Sequence, residues 1–417
     1  MEYNIKKLYF NLHTFEDVIN KTDSPGLPDE MQTFFEKRLI DLTGPKLIHD
    51  QLAVKRPIPK NSGKVINFRK FLPLPKATKP LTEGVTPVGH TLEETNVHTT
   101  VDQFGAYVKT TDRLENETLD NVVAQANKLI ASQAGRTLDT ITREVLTAGT
   151  SVRYATETDE YGTEVYDRAD ITGKCKLTKK VIMKAAADLS GVDAPKVGTE
   201  YVAFVHPYVA FDLMQDPGWI DVVKYKNPEQ IYNGELGKIG GVRFIESTEC
   251  KIIAPNPIQG NICRLTVSKD FNAVQNISVI EELEATGALA TPIPVYVNGV
   301  LNSITQISVG EGVTNLKLST AVTVTAGDMI CGTGAGKDGS AVFCTMVVGE
   351  EAYGTTEIEG GGLELIVKPL GSAGAADPLN QRATVGWKAT KAAIRLVEEY
   401  MVRIESGSDY SYEAVSN

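Results

Sequence analysis

The sequence has no long apolar run, no recognisable cysteine pairing and no excess of positive charge, and each lack removes a class of function. No stretch approaches the roughly 20 apolar residues of a membrane helix, and the start, MEYNIKKLYFNLHTF, has no sustained apolar core followed by a small-residue cleavage site. A cytoplasmic chain without a membrane partner is expected. The five cysteines, Cys175, Cys250, Cys263, Cys331 and Cys344, are odd in number, widely spread and free of any C-x-x-C spacing. That pattern fits buried thiols in a reducing compartment better than disulfides or zinc. A net charge of −11 argues against a protein whose main work is neutralising nucleic-acid phosphates.

Catalytic signatures are missing as well. His13, His49, His90, His98 and His206 show no H-E-x-x-H or other ligand spacing, and His206 before Pro207 reads as a turn residue. There is no G-x-S-x-G and no cysteine-centred nucleophile pattern. The nearest approach to a motif is CGTGAGKDGS at 331–340, but a phosphate-cradling loop needs glycine where Cys331 stands and Ser or Thr where Asp338 stands. An aspartate there would repel phosphate, so the stretch reads as a flexible surface loop. No enzyme activity, metal or cofactor is expected.

What is present is a sharp local contrast of charge. Lys55, Arg56, Lys60, Lys64, Arg69, Lys70, Lys76 and Lys79 follow one another without an acid between them, and Glu83, Glu93, Glu94, Asp102 and Asp112 come next. Both segments have strand texture, in KVINFRKFLPL and NVHTTVDQFGAYVKTTD. Pro73, Pro75, Pro80, Gly84, Pro87 and Gly89 interrupt the chain between them. The pattern predicts a long two-stranded arm with an irregular tip. Such a ribbon is marginal in water by itself, so another copy of the chain is expected to supply its contacts. Three readings of the charge stand side by side: a cross-strand ladder inside the hairpin, complementarity with a neighbouring subunit, and stacking of Phe68 and Phe71 with single-stranded nucleic acid beside Arg69 and Lys70.

At 417 residues the chain exceeds what one core usually serves. Met31, Phe34, Phe35, Leu39 and Leu42 predict a short helix in an amino-terminal arm. Leu119, Val122, Val123, Ala126, Leu129, Ile130, Ala134, Leu138, Ile141 and Val145 form a helical stripe. Asp120, Asn127, Lys128, Arg136 and Asp139 oppose it, and the helix is expected to run about 30 residues and stop near Gly149. LTKKVIMKAAADLSG predicts a second helix capped by Thr178. EYVAFVHPYVAFDLMQDPGW predicts a buried strand, a turn and a short helix, KIGGVRFIESTECKIIA two strands, and YMVRIE a closing strand. From about Ile258 to Ser340 helical periodicity gives way to short apolar pieces between turns, which predicts an inserted β unit in an otherwise α+β protein.

The strings RPIPKNSGKVINFRKF, PLTEGVTP, VDQFGAYVKTTD, QAGRTLDTITREVLTAGT, GVRFIES, AYGTTEIEGG and DPLNQRATVGWKA resemble major capsid proteins of tailed double-stranded DNA bacteriophages, in their N-four-like branch. The resemblance covers about residues 30–255 and 341–405. It implies the Hong Kong 97-type α+β shell fold. Residues 1–55 would be the N-arm, 56–110 the E-loop, 111–175 the P-domain with its spine helix, and 176–255 mainly the A-domain. Residues 256–340 would be an inserted β-rich domain, and 341–417 the rest of the A- and P-domains. It further implies a non-enzymatic subunit, assembled in the host cytoplasm into hexamers and pentamers of an icosahedral virion shell that encloses DNA without reading its sequence. Scaffolding, portal and decoration proteins would be its other partners. The E-loop residues expected at the inter-subunit interface are Arg56, Lys60, Lys64, Arg69, Lys70, Glu83, Glu93, Glu94 and Asp102. An encapsulin-type compartment shell is the alternative with the same fold.

Overall fold

Strict alternation in RATVGWKATKAAIR places Val385, Trp387 and Ala389 on one face of a strand, and in the computed structural model that face is buried. The structure describes residues 19–20, 48–117 without 82, 84, 85, 87 and 88, 122–157, 164–217, 237–284, 286–298, 300–310, 313–360, 362–372 and 377–417. The helix expected at 29–44 lies outside these, as does Leu119. In chain order the main elements are strands β1 (Val65–Phe71), β2 (Glu94–Thr100) and β3 (Asp102–Thr111), then helices α1 (Val122–Thr147) and α2 (Lys179–Gly191). Next come β4 (Tyr201–Val205), helix α3 (Pro207–Gln215), β5 (Val242–Glu246), β6 (Arg264–Thr266), β7 (Phe271–Val279), β8 (Gly287–Val297), β9 (Val300–Gly310), β10 (Val313–Val324) and β11 (Met329–Gly332). The chain continues through β12 (Val342–Val348), β13 (Tyr353–Thr356), β14 (Glu364–Lys368), β15 (Arg382–Arg395) and β16 (Met401–Ser406).

Strand β15 organises the first sheet. It pairs antiparallel with β3 along one side and with β14 and then β13 along the other, and Val54–Lys55 adds parallel to β13. Helix α1 lies on this sheet, with Ile130, Ala131, Ala134 and Leu138 packed on Val385, Trp387 and Ala389 and on Phe104, Ala106 and Val108 of β3. Its 26 residues span about 39 Å at 1.5 Å per residue. Arginines occupy the carbonyls that its last turn leaves open: Arg395 donates to Val145 O (3.1 Å), and Arg403 to Thr147 O and, at 3.0 Å, to Gly149 O.

The helical stripe differs from the expected one in three places, at Leu129, at Asp139 and at Asn127, which was expected on the opposing side but is buried. Leu129 is 71 % exposed while its neighbour Ile130 is buried, because the step of about 100° between consecutive residues carries Leu129 past the edge of the face turned to the sheet. Asp139, expected on the solvated side, is completely buried. Its carboxylate accepts the His49 backbone N–H (2.9 Å) and lies 2.7 Å from His49 Nδ1. Beside it Thr142 donates to Asp50 (2.6 Å), Lys391 of β15 contacts Asp50 and donates to Leu138 O (2.9 Å), and the Tyr353 hydroxyl donates to His49 O. Burial pushes the Lys391 ammonium below its ordinary range, against the pull of Asp50. This polar cluster ties the turn at 48–53 to α1, β13 and β15.

The second sheet contains β16, β12, β4 and β5 in that order, flanked by Val152–Tyr154 and Lys238–Ile239, with Ile252–Ile253 paired to β12. KIGGVRFIESTECKIIA thus yields three short strands where two were expected. Helices α2 and α3 pack on this sheet through Val181, Ile182, Ala185, Leu189, Val209, Ala210 and Leu213. Thr178 does occupy the N-cap position of α2, but its side chain makes no cap hydrogen bond. The Asp216 carboxylate accepts the Lys179 N–H at 2.8 Å instead. His206 caps α3, its Nδ1 accepting the Tyr208 N–H at 3.3 Å, and burial holds its imidazole down to about 4.

Strands β6, β11, β8, β9, β10 and β7 form a third sheet in that order. A bridge between Val267 and Val279, with bonds from Ser268 N to Ser278 O and from Ile280 N to Thr266 O (both 2.9 Å), joins its two ends. The sheet therefore closes into a small barrel, which leaves no long open edge. Its interior is filled by its own side chains, among them Leu265, Ile277, Val295, Ile304, Leu316 and Ile330.

The barrel meets the body at a tight neck, and here lies the glycine-rich stretch expected to be a flexible surface loop. The structure corrects that expectation: Cys331, Gly332, Ala335, Gly336, Gly339 and Ser340 are all buried. Asn256 N donates to Thr333 O at 2.8 Å as the incoming and outgoing chains run side by side. A β-carbon at Gly332 would overlap the Asn256 carbonyl oxygen, and one at Gly336 the Ile171 carbonyl oxygen. Arg264 fastens the joint by donating to Gly339 O and Ser411 O, each at 3.0 Å. Close chain crossing is what the glycines permit.

These arrangements give three expectations for urea titrations. Lys391→Met alone leaves Asp50 buried without its cation and should cost about 3 kcal/mol or more, whereas Asp50→Asn with Lys391→Met together should recover most of that loss. Gly332→Ala should cost at least about 2 kcal/mol, while Lys337→Ala, on the exposed side of the neck, should stay within about 0.5 kcal/mol. His206 is neutral in the fold, whereas the unfolded chain takes up its proton below about 6.5. Its contribution is therefore present above that pH and is lost as pH falls toward 4, by up to about 3 kcal/mol. His206→Asn keeps the capping acceptor and should flatten that part of the pH profile.

Candidate assembly interface

Strands β1 and β2 form a two-stranded antiparallel ribbon, from Val65 opposite Thr100 to Phe71 opposite Glu94. The single strand expected across NVHTTVDQFGAYVKTTD is broken in two at Val101. This residue is buried with Ile58 and Ala392, and its N–H donates to Lys64 O at 2.8 Å. Beyond it β3 belongs to the body sheet, so the ribbon is rooted by Val101 and projects from there. Ile66, Phe68 and Lys70 of β1 are half-buried, while Val65, Asn67, Arg69 and Phe71 are exposed.

The expected interface residues sit along this projection. Arg56 follows Val54–Lys55, and its N–H donates to Thr355 O at 3.3 Å. The methylene stem of Lys60 runs beside Gly360. Lys64 precedes β1, Arg69 and Lys70 are on it, Glu83 is near the tip, Glu93 and Glu94 lead into β2, and Asp102 opens β3. All are exposed except the half-buried Lys70.

Register decides between two of the readings of the charge contrast. Arg69 stands opposite Asn96 and Lys70 opposite Thr95, while Glu94 faces Phe71. Among the described residues no ion pair joins the two strands, so the cross-strand ladder is not the role of these charges. The contact they do make to the body is loose: Lys70 Nζ lies 3.9 Å from the exposed Glu399 carboxylate. Asp102 stands opposite Lys391 in the β3–β15 ladder, but the Lys391 side chain is committed to Asp50.

Sequence reasoning overlooked the apolar part of the interface. Phe71, Leu72, Leu74, Leu81 and Leu92 are all exposed at the far end of the ribbon. Proline breaks hid them, because they follow no period of 2 or 3.6, yet such a cluster of leucines in a polar, turn-rich stretch was a readable signal. Between the ribbon and the body lies a cleft of about 740 Å³, walled by Val54, Phe68, Leu396 and Val397 and rimmed by Arg56, Arg69 and Lys70. Three cations and the single acid Glu351 line it beside this apolar wall.

Chemically the arrangement offers surface and charge. Among the described residues no group of three or more His, Cys, Asp or Glu could hold a metal ion. The neck at 331–340 buries its glycines against Asn256 and Ile171 and leaves no cradle of open backbone N–H groups: Gly336 N donates to Ser340 O, Lys337 N to Ile171 O and Gly339 N to Gly336 O.

No protein-family model and no curated protein matches the chain. Solved structures do. The capsid protein of cyanophage Pam1 superposes with a TM-score of 0.52 at 14 % identity, over 88 % of this chain and 92 % of that one. The capsid protein of cyanophage P-SCSP1u gives 0.51 at 12 % identity, over 86 % and 87 %. With its spine helix on a β sheet, its second α/β layer and its projecting ribbon, the chain has the Hong Kong 97-type capsid fold across most of its length.

Proposed function

We propose that the chain is the major capsid protein of a tailed double-stranded DNA bacteriophage, of the N-four-like branch that its sequence strings resemble. It would be the repeated, non-enzymatic subunit of an icosahedral head. The observation that carries this reading is the ribbon on a Hong Kong 97-type body: among the described residues its basic charges have no partner strand of acid, and its apolar tip is exposed.

A neighbouring subunit would supply both. Burying apolar surface contributes roughly 25 cal/mol per Å², so the five exposed apolar side chains at the tip give a gain that repeats at every subunit. Charge complementarity adds orientation and on-rate more than affinity, and it weakens as salt rises. Ribbon and receiving surface are different parts of one chain, so a head-to-tail contact between them would be heterologous and, where the rotation between subunits closes, would generate rings such as hexamers and pentamers. DNA would be held by enclosure behind an acidic wall of protein. Scaffolding and portal proteins would direct shell size and the packaging vertex, and a decoration protein would bind outside.

Electron microscopy of the purified full-length protein, alone and with its scaffolding protein, tests the reading, with closed shells as the expected result. Arg69→Glu with Lys70→Glu should reduce particle yield at least about ten-fold while the free subunit melts within about 2 °C of the parent, because both side chains lie outside the folded core. Undiminished shells from that variant would remove the ribbon's charges from assembly.

A further inference from the structure

The buried polar cluster under α1 contains a pair of side chains that assembly does not use. Lys391 Nζ of β15 contacts Asp50 Oδ2 in the turn at 48–53. The two residues are 341 positions apart in sequence, so only the fold brings them together. Lys391 is 7 % exposed and Asp50 8 %. A buried ion pair contributes little to stability by itself, because desolvation offsets the attraction.

The surroundings favour a reaction between the two groups. Burial pushes Lys391 toward its neutral amine, and a desolvated lysine amine is a nucleophile. Lys391 Nζ also donates to Leu138 O at 2.9 Å, which holds one N–H aside. Asp50 Oδ1 accepts from Thr142 Oγ1 at 2.6 Å. One carboxylate oxygen is therefore polarised by a hydroxyl while the other meets the amine. Groups held in this way react as if at very high concentration, on the order of 10⁵ M or more in well-oriented cases.

We infer that Lys391 and Asp50 join through an amide bond within one chain. Lys391 first passes a proton to Asp50 Oδ2, leaving an amine and a carboxylic acid. The Nζ lone pair then attacks Asp50 Cγ, and the carbonyl electron pair moves to Oδ1, where the Thr142 hydroxyl stabilises it. When that pair returns, the bond from Cγ to Oδ2 breaks. The oxygen leaves as water, carrying its own proton and one released by the nitrogen. No oxidant, nucleotide or second protein is consumed. The ion pair weighed above for urea titrations is the state before closure. Closure would run a covalent loop from residue 50 to residue 391, through the ribbon, α1 and the barrel. It is independent of the shell-subunit reading.

Mass spectrometry of the full-length chain provides the test. The intact protein should weigh about 18 Da less than its sequence, the mass of one water. Trypsin should release LIHDQLAVK (47–55) and ATKAAIR (389–395) as one branched peptide, uncut after Lys391. Lys391→Arg keeps the cation and should show the full sequence mass. Thr142→Val should close at least about ten-fold more slowly, and closure at the parent's rate would overturn the role given to its hydroxyl. A parent chain of full mass, both freshly purified and after prolonged incubation, with 47–55 released alone and cleavage after Lys391, overturns the bond and leaves an ordinary buried ion pair. A loss of the same mass that maps to other residues overturns it equally. The parent's peptides decide between these outcomes whether or not either variant folds.

Discussion

The structure depends on one strand being occupied along nearly its whole length. β15 takes β3 on one side and β14 and β13 on the other, and its inward residues Val385, Trp387 and Ala389 give α1 its floor. Lys391, further along, reaches the polar cluster that holds the turn at 48–53. The ribbon leaves the body through β3, so its direction is fixed by the ladder of a single rigid strand. Assembly needs such rigidity, because an angular error at one contact would accumulate around a ring.

Against that body, the ribbon is the part that the described residues leave least covered. Its root is well packed through Val101, Ile58 and Ala392, whereas its far end shows leucines to solvent and its charges face polar or apolar residues across the strands. The gradient from packed root to uncovered tip is what a contact element requires: it is held where it must keep its direction and bare where it must bind.

Much of this was legible in the residues. Alternation and glycine stops located α2, β4, α3, β15 and β16, and the charge contrast located the ribbon. The missing parts share a physical cause, which is that one-dimensional patterns do not reveal which polar residues are paired. Asp139 reads as solvated by charge alone, but its partner His49 is 90 residues away in sequence. Asp216 displaces Thr178 as the cap of α2 from 37 residues away. The glycines at 331–340 looked like freedom of motion, although they mark where two chain segments touch. Of the candidate interface, the charged residues were singled out by sign and spacing and lie exposed or half-buried along the ribbon and its root, while the exposed apolar tip was missed because prolines erase periodicity there.

The neck also bears on how this chain could have acquired its barrel. Asn256 and Thr333, where the barrel's polypeptide arrives and departs, are joined by a single backbone hydrogen bond, so the body on either side meets almost as if nothing had been spliced between. A closed unit hung on such a pair of adjacent ends can be lost, enlarged or swapped during descent without rerouting the rest of the molecule. The barrel could then diversify while the sheets and helices of the body stay the same.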